Sequence, residues 1–262
     1  IHLRPELDWG YVSEAAANLA EERYDDAIKN YDDALVTSPD HTSLILMRGE
    51  ANRLAHRYAQ AVADFNAAIH KDSKYVAAYR LRACAYLESG DARQAVSDYE
   101  QALDLDPNDL ALRENAGIAQ WDNGDYRDAV KNFEKSATDP KNAKRVMYSE
   151  LWLHLATVKR GDDDTELGQR TNKLDLKTWP GPLLSLFIGT TTVDDVLSVA
   201  KHADADARND QSCQASFFVA EWHLEHSEIG AAGPLLEQAR ATCRSEGPEA
   251  KAARAELKRL AP

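Results

Sequence analysis

Turn residues are scarce in this chain, with 12 glycines and 9 prolines among 262 residues. A β-sandwich or barrel needs frequent tight turns, so the scarcity argues against an all-β fold and suits long helices. Positive charge is also short: 31 Lys and Arg stand against 44 Asp and Glu, for a net charge of −13. Such a surface repels a phosphate backbone, and no basic cluster offsets it, so nucleic acid is excluded as the expected partner. The longest uncharged apolar stretch, Pro182 to Val193, falls far short of the roughly 20 residues that span a bilayer. No leader is recognisable at the start. The chain opens on Ile1, and the expectation is a removed leader or a trimmed start, so localisation is not read from that end. What remains, 44% hydrophobic and 29% charged residues, is the composition of a folded protein.

The strongest positive signal is a repeat. An alanine, an aromatic four residues on and a small residue three further recur as Ala27-Tyr31-Ala34, Ala61-Phe65-Ala68, Ala95-Tyr99-Ala102 and Ala129-Phe133-Ser136. Successive copies are 34 residues apart. A proline closes three of them, as Pro39, Pro107 and, one place early, Pro140, with Ser73 in that place in the second. Small residues at Ala15, Gly49, Ala83 and Gly117 mark a first helix and the motif alanines mark a second. Small against small lets two helices approach closely, and the aromatic one turn later fills the space beyond. Turns are expected at Glu21–Glu22, His56–Arg57, Ser89–Gly90 and Asn123–Gly124.

Over about residues 8–141 this pattern resembles the tetratricopeptide-repeat (TPR) family. The resemblance implies an all-α fold, a right-handed superhelix of helical hairpins whose first helices line a groove for an extended peptide or a partner helix. Candidate lining residues are Trp9, Val12, Leu46, Glu50, Arg53, Arg80, Leu87, Glu114, Ile118 and Trp121; the aromatics and arginines suit interface anchors. Some TPR domains hold chaperone C-termini through a Lys, Asn and Arg clamp. Here the matching positions are Val12, Ala16, Met47, Ala77 and Leu81, so that clamp is absent.

Residues 142–210 lose the motif, and a hairpin-like Ala232-Leu236-Ala239 returns within 211–262. Helices are expected near Lys144–Lys159, Leu183–Ile188, Val193–Ala200 and Ala215–His226, with a last one over Pro248–Leu260 that caps the final hairpin. The run Asp162-Asp163-Asp164-Thr165-Glu166 reads as a solvated turn in which Asp164 or Thr165 caps a helix. Trp152 and Trp179 are expected to pack this half or a dimer seam. Segments Leu151–Ala156, Trp179–Pro182, Phe187–Gly189, Ala215–Phe218 and Ala253–Leu260 resemble, in order, the C-terminal region of NlpI-type bacterial TPR lipoproteins. That resemblance implies a dimeric scaffold of the bacterial envelope that brings cell-wall endopeptidases to a protease. No lipidation cysteine lies near this start.

The three cysteines are Cys84, Cys213 and Cys243. Cys213 and Cys243 lie at about equal distances either side of a turn near Ser227–Glu228, at one height on antiparallel helices. A disulfide is geometrically open to them, and two buried thiols are the other reading. A disulfide would favour an oxidising compartment such as the periplasm. Cys84 reads as a free thiol. His223 and His226, with Glu221 and Glu225 nearby, have a spacing of three and no evident third ligand, so exposed polar residues are expected there rather than a metal site. No phosphate loop or nucleophile elbow is present. The reading is a non-catalytic scaffold that holds a protein or peptide, with no cofactor and no membrane span. It is placed in the periplasm or envelope, with the cytoplasm as the alternative. The competing readings are a homodimer whose partner subunit fills the groove, and a metal-dependent binder or enzyme built on His223, His226 and Glu225.

Overall fold

The computed structural model describes residues 5–243 and 247–261, with side chains from Gly10 onward except those of 205 and 206. Among the described residues every regular element is a helix. They are α1 (Pro5–Ala20), α2 (Tyr24–Thr37), α3 (Thr42–Leu54), α4 (Tyr58–Lys71), α5 (Val76–Ser89), α6 (Ala92–Leu105), α7 (Leu110–Asn123), α8 (Tyr126–Ser136), α9 (Ala143–Arg160), α10 (Leu167–Thr171), α11 (Gly181–Phe187), α12 (Val193–Lys201), α13 (Ala205–Glu225), α14 (Ile229–Thr242) and α15 (Pro248–Leu260). The chain divides into two compact units, one up to Leu112 and one from Arg113 onward.

In the first unit α1 pairs with α2, α3 with α4, and α5 with α6. Each second helix buries its motif alanines and aromatic: Ala27, Tyr31 and Ala34; Ala61, Phe65 and Ala68; Ala95, Tyr99 and Ala102. A buried polar rung repeats with the same period. Arg48 of α3 grips Asp64 of α4 at 2.5 and 3.1 Å and reaches Asp32 at 2.7 Å. Thirty-four residues on, Arg82 of α5 grips Asp98 of α6 at 2.6 and 2.7 Å and reaches Asn66 at 2.5 Å. Each arginine meets its acid on the paired helix with two parallel bonds, which fixes the register of the hairpin.

In the second unit the core gathers on Trp152, which is fully buried. Its ring meets those of Trp121 at 5.3 Å, Phe217 at 5.4 Å and Phe218 at 5.6 Å. Asn142 caps α9 through the Arg145 amide, and Gly161 ends it in the left-handed region. Helix α13 starts at Ala205, well before the expected Ala215, and pairs with α14. Cys213 and Cys243 are joined by a disulfide across 30 residues, and the bridge pins the end of α14 to α13. Closing a loop of that length removes unfolded-chain freedom on the order of 3 kcal/mol.

The tight turns repeat as strictly as the helices. Glu22, His56, Gly90 and Gly124 stand 34 residues apart and all have positive φ, at 57°, 58°, 89° and 83°. Two hairpins meet this demand with glycine, and two hold a side chain in a conformation that costs about 1 kcal/mol. Glu22→Gly is therefore expected to stabilise the protein by about 1 kcal/mol, seen as a higher urea midpoint at unchanged slope, whereas Glu22→Ala keeps the strain. Gly117→Val acts the other way. A Cβ there would lie 2.7 Å from Phe133 Cε1 inside the core, and overpacking of this kind costs roughly 1–3 kcal/mol.

Candidate functional site

The first helix of each hairpin carries three such positions, and in the sequence the period repeats them through both units. One row is Val12, Leu46, Arg80 and Glu114; the next includes Glu50 and Ile118; the third includes Arg53, Leu87 and Trp121. Continuing by 34 residues leads from Glu114, Ile118 and Trp121 to Tyr148, Trp152 and Leu155 on α9. Helix α9 is thus the first helix of a further unit, although its sequence has lost the alanine-aromatic motif of the second helices. The spacing held the signal.

In the first unit these positions stay open to solvent in part. Val12, Leu46, Arg80 and Leu87 are half-buried, and Met47 beside them is 40% exposed. Glu50 and Glu88 both pair with Arg53, which holds its guanidinium in the middle of the face. Cys84 is a free thiol with its Sγ 3.3 Å from Tyr99 Oη, and burial pushes its pKa up, which keeps it protonated and unreactive. Trp9 lies on α1, but its side chain is outside the described residues.

In the second unit the same face is covered. Helix α15 packs on α14 and α13, and its acids also reach α9. Tyr148 Oη donates to Glu249 at 2.7 Å near the start of α15, and Lys159 Nζ donates to Glu256 at 2.5 Å near its end. Ala250, Ala252 and Ala253 are buried in the core that contains Trp121 and Trp152, with Leu257 and Leu260 packed against it. Burial pushes the carboxyl of Asp122 on α7 up to about 6, opposed by the charges of Lys251 and Arg254 on α15.

This placement corrects two of the expected lining residues. Ile118 is 7% exposed and Trp121 is 5% exposed, so both are core residues rather than free ligand contacts. Trp121 packs against Tyr126 at 5.1 Å, and the Lys159 ammonium stands 5.8 Å above its ring. Glu114 remains half-buried, 3.8 Å from Arg145 and accepting from Ser149 at 3.3 Å, with burial raising its pKa.

The acidic turn is corrected as well. The side chain of Asp164 is 4% exposed and accepts from His154 Nδ1 at 3.1 Å and from both terminal nitrogens of Arg170 at 2.8 Å. Burial alone would disfavour a charged His154. Its bonds to Asp164 and, at 3.2 Å, to Glu225 outweigh that and raise its pKa. An acid indistinguishable in sequence from its solvated neighbours thus ties the turn to α9. Trp179 Nε1 donates to Gln214 at 2.7 Å, so it packs this half. His223 pairs with Glu228 at 2.6 Å, and His226 stacks on Trp222 at 4.0 Å. Among the described residues no group of three or more His, Cys, Asp or Glu is placed to hold a metal ion, and no helix is long and apolar enough to cross a membrane.

The tetratricopeptide-repeat family model matches residues 13–76 and 80–143. Similar solved structures include a tetratricopeptide repeat protein from Parabacteroides merdae, at 14% identity over 97% of this chain and 98% of that one, with a TM-score of 0.65. PilF of Pseudomonas aeruginosa is similar at 14% identity over 97% and 99%, with a TM-score of 0.57. YrrB, a TPR protein with an unusual peptide-binding site, is similar at 16% identity over 69% and 91%, with a TM-score of 0.53. At such identities the likeness establishes the fold. No curated protein sequence matches the chain.

A pH dependence follows from the buried groups of the second unit. His154 holds its proton more tightly folded than unfolded, so its contribution is present at low pH and is lost as pH rises through its raised folded pKa. Burial pushes Glu221 up to about 7, against the charge of Lys159, so it too favours the folded state while protonated. Its contribution is lost between the unfolded carboxylate range and about pH 7. Thermal midpoints are expected to fall from about pH 5 to about pH 8, and Glu221→Gln and His154→Asn each to flatten the slope.

Proposed function

This chain is a tetratricopeptide-repeat protein, and we propose that it acts as a non-catalytic scaffold that holds a partner polypeptide on the face of α1, α3 and α5. One observation carries the reading: the register positions that are covered in the second unit, by Phe217 and Phe218 of α13 together with α15, stay half-exposed in the first at Val12, Leu46, Arg80 and Leu87. The second unit displays the kind of occupant such a face accepts, an amphipathic helix with an alanine-rich stripe and acids at its register points. Peptide binding by a relative, as in YrrB, is in keeping with this reading. Exposed Met47 on α3 and half-buried Arg80 on α5 offer an apolar and a cationic contact to a ligand.

We place this scaffold in the bacterial envelope, where its partners would be cell-wall endopeptidases and the protease that degrades them. The Cys213–Cys243 disulfide supports an oxidising compartment, and the order of segments in the C-terminal half supports the lipoprotein-like reading. The competing homodimer, in which a second subunit fills the groove, is less favoured for the second unit because α13 and α15 cover those positions in cis.

Affinity capture from envelope and cytosolic fractions of the native organism tests this, with Met47→Asp plus Arg80→Glu as the control bait. Both side chains are outside the core, so the control is expected to keep its thermal midpoint within about 0.5 kcal/mol of the parent in stability. Recovery of wall hydrolases with an envelope protease, lost with the control, is the expected result. Cytosolic partners alone would overturn the envelope placement, and recovery of the chain itself alone would favour the homodimer.

A further inference from the structure

Half-buried arginines stand on the first helices of the first unit, Arg48 and Arg53 on α3 and Arg80 and Arg82 on α5. Arg48 grips Asp64 and Asp32, Arg82 grips Asp98, and Arg53 grips Glu50 and Glu88. Arg80 has neither an acid nor a hydrogen bond among the described residues. Arg53, Glu88 and Arg80 all act on the thiol of Cys84, one turn beyond Arg80, so these charges share one patch. The acid of that patch is already held by Arg53. The same face carries half-buried aliphatics, with Leu46 and Leu81 packed on the cluster of Phe65, and Leu87 further along α5. A guanidinium partly removed from water, without an acceptor and among aliphatics, is complementary to a carboxylate carried on an apolar surface.

The fold contains one instance of that complement. Tyr148 occupies the register place of Arg80 two periods of 34 later. Its hydroxyl donates at 2.7 Å to Glu249, the second residue of α15, which continues in buried Ala250 and Ala253. A donor at this place thus meets a glutamate at the start of a helix with a small apolar stripe. The place between them is Glu114, an acid, so the donor belongs to Arg80 and Tyr148 and not to the repeat as such. We propose that the partner polypeptide lays a helix on the face of α1, α3 and α5, and that one glutamate or aspartate in the apolar stripe of that helix pairs with Arg80. This rests on the scaffold reading above and adds the charge the partner must carry. Two acids surround Arg53, so its cluster keeps one negative charge in excess and disfavours a second partner acid beside it. The net charge of −13 also opposes a strongly acidic partner, but salt screens that repulsion beyond about 10 Å, whereas a carboxylate on the guanidinium is in contact. Recognition therefore falls to one acid in an otherwise neutral helix.

A displayed library of helices of about 15 residues, randomised on one face of an alanine–glutamine scaffold, is selected against the full chain. Selected peptides, amidated so that only side-chain carboxylates are tested, are titrated into full chain carrying ¹³C-labelled Leu and Val methyls. Shifts of the Val12, Leu46 and Leu87 methyls are expected, with an acid fixed at one randomised position. Replacing that acid by its amide is expected to weaken binding about tenfold or more. Arg80→Met is expected to weaken the acidic peptide to the level of the amide and to leave the amide peptide unchanged. Selection against Arg80→Glu is expected to return lysine or arginine at that position. Should the Arg80 variants fold poorly, the acid and amide peptides on the unmodified chain read the same preference. Peptides that shift these methyls with no acid preference, with an aromatic at that position, or with an acid indifferent to Arg80→Met in a folded variant would overturn this proposal and leave the scaffold reading standing. A selection in which no peptide shifts these methyls would overturn both.

Discussion

The structure depends on one close approach, made again in each hairpin. A small residue on the first helix faces an aromatic sixteen residues later on the second, as Ala15 and Tyr31, Gly49 and Phe65, Ala83 and Tyr99, Gly117 and Phe133. At Gly49 and Gly117 a Cβ would fall 2.7 Å from the ring, so the ring occupies the space a side chain would take. That contact sets the distance between the helices and therefore where the loop must turn. The turn then demands a left-handed residue, which is why Glu22 and His56 tolerate positive φ where Gly90 and Gly124 adopt it freely. The buried arginine–aspartate rungs add register to this spacing but contribute little net stability, because each removes ions from water to form its bonds.

The same register decides what the first helices can present. Packing consumes the side of each helix that carries the small residue, and positions one turn away are left for something else to cover. In the second unit α13 and α15 supply that cover, with Phe217 and Phe218 of α13 against Trp152, so Trp121, Trp152 and Leu155 become core. In the first unit Arg53 sits between Glu50 and Glu88, and the rest of the face is a mixture of half-buried aliphatics with Arg80. Protein-binding surfaces combine apolar anchors with a pre-organised charge in this manner.

The four hairpins were legible because their physical cause, a small residue under a ring, recurs at a fixed spacing that no solvent-facing residue obscures. Helix α9 was legible as a helix but not as a fifth first helix, since Tyr148, Trp152 and Leu155 continue the register without the alanine that announces it. The seat of α15 was hidden by its composition. Glu249, Lys251, Arg254 and Glu256 read as a solvated cap, and only the seam Ala250, Ala253, Leu257 and Leu260, at spacings of three and four, marks a buried stripe. Asp164 could not be told from Asp162 and Asp163, because its burial depends on His154 and Arg170, which only the folded chain brings to it.

How firmly α15 holds its seat determines which face is available to a partner. Its seam is mostly alanine, and burial scales with area, so the apolar contribution per residue is small. Its ion contact, Glu256 with Lys159, specifies position more than it adds stability, because the carboxyl must leave water to make it. Taken alone, these terms describe a weakly held helix. The tether reverses the conclusion. Cys243, bonded to Cys213, lies five residues before Pro248, so the start of α15 is anchored a short distance from where it docks. A short linker gives an intramolecular partner an effective concentration on the order of millimolar. A free helix arriving at micromolar concentration must therefore bind α7 and α9 roughly a thousandfold more tightly than α15 does to displace it. Val12, Leu46 and Arg80 impose no such penalty, so a partner of ordinary affinity meets the first unit's face on better terms than the second's.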